Sequence, residues 1–134
     1  MTPLLASFGL WYPCFFMILN HVNLTVDNAL ETGTFLTQYF GLKTQEGIRM
    51  SEKFAILRDE AGMVLTLIKD TEEGPVVYPS SFHIGFIQSS AEEVNAIHAR
   101  LSPDGHDAPE PSRQHGSWTI YYRTPGGFLI EVLA

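Results

Sequence analysis

Phe54-Ala-Ile-Leu-Arg-Asp-Glu-Ala-Gly-Met-Val-Leu-Thr-Leu67 can be laid without a gap on Thr119-Ile-Tyr-Tyr-Arg-Thr-Pro-Gly-Gly-Phe-Leu-Ile-Glu-Val132. Arg58 falls on Arg123 and Gly62 on Gly127, and an apolar run follows each glycine. Within those runs Thr66 falls on Glu131. Working upstream, His21-Val-Asn-Leu-Thr-Val26 matches His83-Ile-Gly-Phe-Ile-Gln88. The chain is therefore a duplicated unit. Each copy carries a histidine early, and only the second has a carboxylate late. Two imidazoles and one carboxylate are the donors of an open divalent-metal site.

The alternation of apolar and polar residues sets the expected elements. In Ile18–Val26, Val22, Leu24 and Val26 share one face of a strand, and His21, Asn23 and Thr25 share the other. Asp27 or Asn28 can cap a helix running to about Phe40, with Leu30, Leu36, Tyr39 and Phe40 inward and Gly41 as its stop. A weak strand is expected near Arg49–Met50. Clearer strands at Lys53–Arg58 and Met63–Lys69 are joined by a turn at Asp59-Glu-Ala-Gly62. Polar Thr71–Ser81, with Gly74, Pro75 and Pro79, reads as a linker. The second unit repeats the order: a strand at His83–Gln88, a capping box at Ser90–Glu93, and a helical stripe of Val94, Ile97 and Leu101. Ser102–Gly116 reads as loop or weak strand, and a hairpin of Trp118–Arg123 and Phe128–Leu133 follows. The expected class is α+β: two tandem βαβββ modules, residues 17–78 and 79–134, whose curved mixed sheets enclose a cavity with the helices outside.

Bulk properties narrow the function. With 45% hydrophobic and 17% charged residues, the chain is too apolar to be disordered, and 134 residues suffice for one compact core. A net charge of −7 with no Lys/Arg cluster argues against nucleic acid as a partner. Cys14 is the only cysteine, so no disulfide can form within the chain, and a reducing, cytoplasmic setting is expected. Residues 1–16 are strongly apolar but lack the basic start and cleavage site of a signal peptide. Pro3, Gly9 and Pro13 interrupt them, and they are short for a membrane span. They read as an extension ahead of the repeat, with Met17 as an alternative start, or as apolar surface that a second subunit covers.

The organisation, with His21 in Leu-Asn-His-Val-Asn-Leu-Thr-Val, Tyr39-Phe-Gly-Leu42 and Thr124-Pro-Gly-Gly-Phe-Leu-Ile-Glu131, resembles the vicinal-oxygen-chelate superfamily of glyoxalases, bleomycin-resistance proteins and extradiol dioxygenases. The resemblance covers about residues 17–134. It implies metal ligands on the first and last strands of each module, which carries His21, His83 and Glu131 onto ligand positions. Thr66 stands at the fourth, where glyoxalase I has Glu or Gln. This departure points away from glyoxalase I and toward the three-ligand pattern of extradiol dioxygenases and fosfomycin-resistance transferases. The implied cofactor is a divalent metal, Fe(II) or Mn(II) in preference to Zn(II) or Ni(II). The implied partners are a small oxygen-rich substrate and a second copy of the chain in a homodimer, without nucleic acid or membrane.

Other residues carry two readings. Tyr121 resembles the substrate-facing tyrosine of the three-ligand enzymes, or packs across the hairpin. His115 and His106 can act as acid or base, because imidazole as a class titrates near neutral pH, or can be loop residues. Asn23, Thr25 and Thr66 share the face of His21 and would line the pocket. Arg58 and Arg123 stand at matching turn positions, which favours a structural role. Glu131 could instead lie on a solvated face. A metal-free alternative is a drug-sequestering protein of the bleomycin-resistance type.

Overall fold

The structure, a computed structural model, describes residues 17–69 and 74–134. The expected N-terminal extension and part of the expected linker lie outside the described residues. The first module consists of β1 (His21–Val26), α1 (Ala29–Phe40), β2 (Lys43–Thr44), β3 (Phe54–Arg58) and β4 (Val64–Lys69). The second has β5 (His83–Ile87), α2 (Ala91–Leu101), a 3-10 turn (Ser102–Asp104), β6 (Ser112–Gln114), β7 (Ser117–Arg123) and β8 (Leu129–Leu133). The architecture is α+β, with two four-stranded mixed sheets in the orders β1-β4-β3-β2 and β5-β8-β7-β6. In each, the first strand runs parallel to the last and the remaining pairs are antiparallel. The two sheets are not closed into a barrel.

Local chemistry explains the boundaries. The Asn28 side chain accepts the Glu31 amide at 3.0 Å and starts α1. Gly41 ends it at φ 71°, a conformation open to glycine at little cost, with its N–H on the Leu36 carbonyl. The Ser90 hydroxyl accepts the Glu93 amide at 3.3 Å and starts α2. The Glu93 carboxylate reaches back to the amide and hydroxyl of Ser89, one residue ahead of the cap.

Two details differ from the sequence reading. The α1 stripe runs through Ala29, Thr32, Gly33, Leu36 and Tyr39, with Phe35 buried beside it. Leu30 sits about a quarter-turn off that stripe and is exposed. No strand forms at Arg49–Met50; Lys43–Thr44 is the strand that pairs with β3, and Met50 packs on Gly33, where a Cβ would lie 2.8 Å from its Sδ.

One core joins the modules. Leu24, Val26, Ala55, Leu57, Leu65 and Leu67 of the first sheet are buried in the same cluster as Ile120, Ile130 and Val132 of the second. Phe35 of α1 stacks on Tyr122 of β7 with ring centroids 5.6 Å apart. The final hairpin also seats on the first module: a Cβ at Gly126 would meet Val26 Cγ1 at 2.8 Å and Thr32 Cγ2 at 3.1 Å. Side chains alternate across a strand. With the apolar faces committed to this core, the opposite faces point away from it. Those opposite faces carry His21, Asn23 and Thr66 in one sheet and His83, Tyr121 and Glu131 in the other.

Candidate metal centre

Glu131 lies on β8 between two neighbours fixed by register, Gly85 of β5 on one side and Tyr121 of β7 on the other. Directly opposed residues in a sheet have Cβ atoms about 5 Å apart, so the Tyr121 ring is held beside the carboxylate. Its hydroxyl donates to Glu131 Oε1 at 2.6 Å. That hydrogen bond, followed by partial burial and the nearby negative charge, pushes the Tyr121 phenol above its ordinary value. The phenol is therefore a donor at neutral pH.

His83 approaches the other oxygen. Its Nδ1 is 2.9 Å from the Ser81 carbonyl. A carbonyl can only accept, so Nδ1 carries a hydrogen, and in the neutral tautomer this leaves the lone pair on Nε2. Nε2 lies 3.5 Å from Glu131 Oε2. The His83 and Tyr121 rings meet edge to face at 5.8 Å. The side chain of Glu131 is 18% exposed and that of His83 43%, so both are within reach of a ligand.

This donor set fits a divalent cation in kind. The 3.5 Å separation is longer than a good hydrogen bond, yet it is one that two ligands with metal bonds of about 2.1 Å can span. Anchoring the far nitrogen of a ligating imidazole to a carbonyl is a recurrent way of orienting it. Two donors are still too few: among the described residues, no three His, Cys, Asp or Glu side chains gather closely enough to hold an ion.

His21 is the residue that does not join them. It is exposed on the outer face of the first sheet, with Nδ1 3.1 Å from the Asn20 side chain. Asn23 and Thr66 are register partners on that same face. Thr25 is half-buried beside them, and its carbonyl accepts the Tyr78 hydroxyl at 2.6 Å. The duplication places His21 and His83 equivalently within their sheets, but among the described residues His21 does not gather with His83 and Glu131.

His115 is exposed at φ 49° in the turn between β6 and β7. The β7 strand runs extended from Ser117 to Tyr121, about 13 Å, so the turn that holds His115 lies well away from the carboxylate. His106 packs among Phe35, Tyr39 and Tyr122, with the Tyr122 hydroxyl 3.1 Å from its Nδ1. Arg123 donates to the Gly127 carbonyl at 2.7 Å across its own turn, and Arg58 bonds the Gln45 side chain. Sequence reasoning passed over Gly85 and the Ser81 carbonyl. A glycine in mid-strand is a signal that something must approach the backbone closely, and register puts that something at Glu131. A small apolar cavity of about 100 Å³, lined by Val22, Leu65, Ile84, Gly85 and Phe86 among others, does not include Glu131.

A family model described as the Glyoxalase/Bleomycin resistance protein/Dioxygenase superfamily matches residues 18–132. Among solved structures, the chain is similar to a possible glyoxalase from Bacillus cereus, at 43% identity and a TM-score of 0.77, over 89% of this chain and 100% of that one. It is also similar to a glyoxylase/bleomycin resistance protein/dioxygenase domain from Frankia sp. EAN1pec, at 18% identity and a TM-score of 0.74, over 89% and 98% of the two chains. The lactoylglutathione lyase of Agrobacterium tumefaciens aligns at 17% identity with a TM-score of 0.67, over 87% and 92%; at that identity the likeness concerns the fold. No curated protein matches the chain. Among the described residues no helix is long and apolar enough to cross a membrane.

Proposed function

Because the chain belongs to the Glyoxalase/Bleomycin resistance protein/Dioxygenase superfamily, we propose that it is a divalent-metal-dependent enzyme acting on a small oxygen-rich substrate, dioxygenase-like more than glyoxalase I-like. The observation that carries this reading is the approach of His83 Nε2 to Glu131 Oε2 at 3.5 Å. A carboxylate and a neutral imidazole side by side are donors complementary to a cation. His83 and Glu131 form one half of the site. The other half is His21 of a second copy, whose outer sheet face, with Asn23, Thr25 and Thr66, closes over the first. Thr66 is neutral where a fourth anionic ligand would stand, so the site keeps open positions for substrate oxygens, and Fe(II) or Mn(II) suits it better than Zn(II) or Ni(II). A cation bound there supplies Lewis-acid polarisation or a place for dioxygen. The chain's own residues orient the ligands, supply the negative charge and shield the site from bulk water.

The test is metal analysis combined with subunit mixing. Full-length chain loaded with Mn(II) and dialysed is expected to retain stoichiometric metal as a dimer, and His21→Ala and Glu131→Ala are each expected to lose it. Mixing the two inactive variants should restore part of the binding, because one shared site in the mixed dimer then has all its ligands. Failure of the wild-type chain to hold any divalent cation, with stability unchanged by chelator, would overturn the enzyme reading and favour a metal-free ligand-sequestering protein.

A further inference from the structure

We propose, independently of the metal reading, that the groove between the two modules binds a small ammonium ligand, with a branched apolar end in its inner hollow and the cationic head on Asp59. The inner hollow measures about 100 Å³ and is walled by Val22, Leu42, Met63 and Leu65 of the first module and by Ile84 and Phe86 of the second. It adjoins an outer hollow of about 480 Å³, with which it shares Leu42, Asp59, Gly85 and Phe86. The way the two modules cover their strands accounts for this space. Val22 and Ile84 hold equivalent positions on β1 and β5. In the first module Leu24 follows on the same face and is buried. In the second, α2 packs on β7 and β8, and both Ile84 and its successor Phe86 stay half-buried. Apolar side chains left part-exposed around a hollow favour any apolar group that covers them.

Charge sets the other end of the ligand. Every charged side chain that lines either hollow is acidic: Asp59, Glu60 and Glu93. Two of these are already engaged. Glu60 pairs with Lys43 at 2.7 Å, and Glu93 accepts the amide and hydroxyl of Ser89. Asp59 is the one that lines both hollows. It is half-buried, its Oδ1 accepts the Met63 amide at 2.8 Å, and among the described residues it has no cationic partner. A carboxylate where an apolar hollow meets a more polar one suits an ammonium group and repels an anion. Size follows from the inner hollow. An apolar cavity of about 150 Å³ admits benzene, so one of about 100 Å³ takes a smaller end, such as an isopropyl group.

The probe is isoamylammonium, compared with neutral isoamyl alcohol and anionic isocaproate, which carry the same branched end. Each is titrated at neutral pH into the full-length, methyl-labelled chain and followed by NMR. The methyl signals of Val22, Leu42, Met63, Leu65 and Ile84 are expected to move together and to saturate. Isoamylammonium should bind about fivefold more tightly than the alcohol, the effect of a well-placed, partly exposed ion pair, and isocaproate most weakly. Asp59→Asn keeps an oxygen for the Met63 amide, and should bring the ammonium probe down to the affinity of the alcohol while leaving the alcohol unchanged. Absence of saturable shifts at these methyls overturns the site. An ammonium preference that survives Asp59→Asn overturns the assignment of the head; if that variant does not fold, equal affinities of the three probes for wild type do the same. Probe binding that weakens as protein concentration rises would give the groove to a second copy of the chain and overturn the ligand reading.

Discussion

The two modules share an element order and a strand register but use them differently. In the first, the row Asn23–Thr66–Ile56 crosses the outer face of the sheet as a neutral surface. In the second, the equivalent row Gly85–Glu131–Tyr121 holds a half-buried carboxylate by a 2.6 Å hydrogen bond with an imidazole nearby. The turns diverge as well. Asp59–Gly62 is mostly exposed, while Thr124–Gly127 is pressed onto β1 and α1 of the other module. A repeat whose scaffold is equivalent has thus diverged: the second module carries the acid and the inter-module joint, and the first carries a neutral outer row and a lone histidine.

This division can be broken most severely at the residue after each turn glycine. Phe128 is fully buried, whereas the equivalent Met63 is only partly so. Phe128→Ala should cost about 3–5 kcal/mol, and Met63→Ala distinctly less, in urea denaturation followed by circular dichroism. Equal losses at the two positions would show that the hairpins bear equal loads. Two residues earlier, Gly126 corresponds to the exposed Ala61. Gly126→Ala pushes a methyl to within 2.8 Å of Val26 Cγ1 and 2.9 Å of Phe128 Cε1, an overpacking worth about 1–3 kcal/mol. The reverse exchange, Ala61→Gly, should stay within about 0.5 kcal/mol. Melting temperatures of the pair report the difference directly.

The smallest effect distinguishes the helices. Tyr39 of α1 and Leu101 of α2 occupy matching positions, but only Tyr39 has a group to titrate. Its hydroxyl donates to Asp104 Oδ2 at 2.5 Å, with Gln38 and His106 alongside. The bond to Asp104, with burial and charge behind it, pushes the phenol up to about 12 from 10.0. A raised value means that the folded state holds this proton more tightly than the unfolded one. The contribution is therefore complete below pH 10.0 and fades as pH rises toward about 12. Wild-type stability should fall more steeply above pH 10 than that of Tyr39→Phe, read as denaturation midpoints across that window. Parallel slopes in the two proteins would remove Tyr39 as the source.

Much of the fold was legible because strand alternation and helix caps are local. Leu24 and Val26 against His21 and Asn23, Asn28 and Ser90 as caps, and Gly41 as the stop all follow from neighbours in sequence. Leu30 was misread because a helix stripe depends on which residue anchors it, and Ala29, small and silent in hydropathy, is the one that is buried. The strand at Lys43–Thr44 was missed because a two-residue edge is created by its partner β3 and has no periodicity of its own. Within the candidate site, the Tyr121–Glu131 pairing could be read from the hairpin, since register follows from the turn.

The sequence by itself determined that two copies of one βαβββ unit exist, which face of each strand is apolar, and that a single acid breaks the symmetry. These depend on periodicity and on the identity of adjacent residues. The tertiary structure decided which faces meet. With both apolar faces buried in one core, His21 does not gather with His83 and Glu131 among the described residues, and no local pattern encodes that outcome, because it depends on packing between residues far apart in the chain.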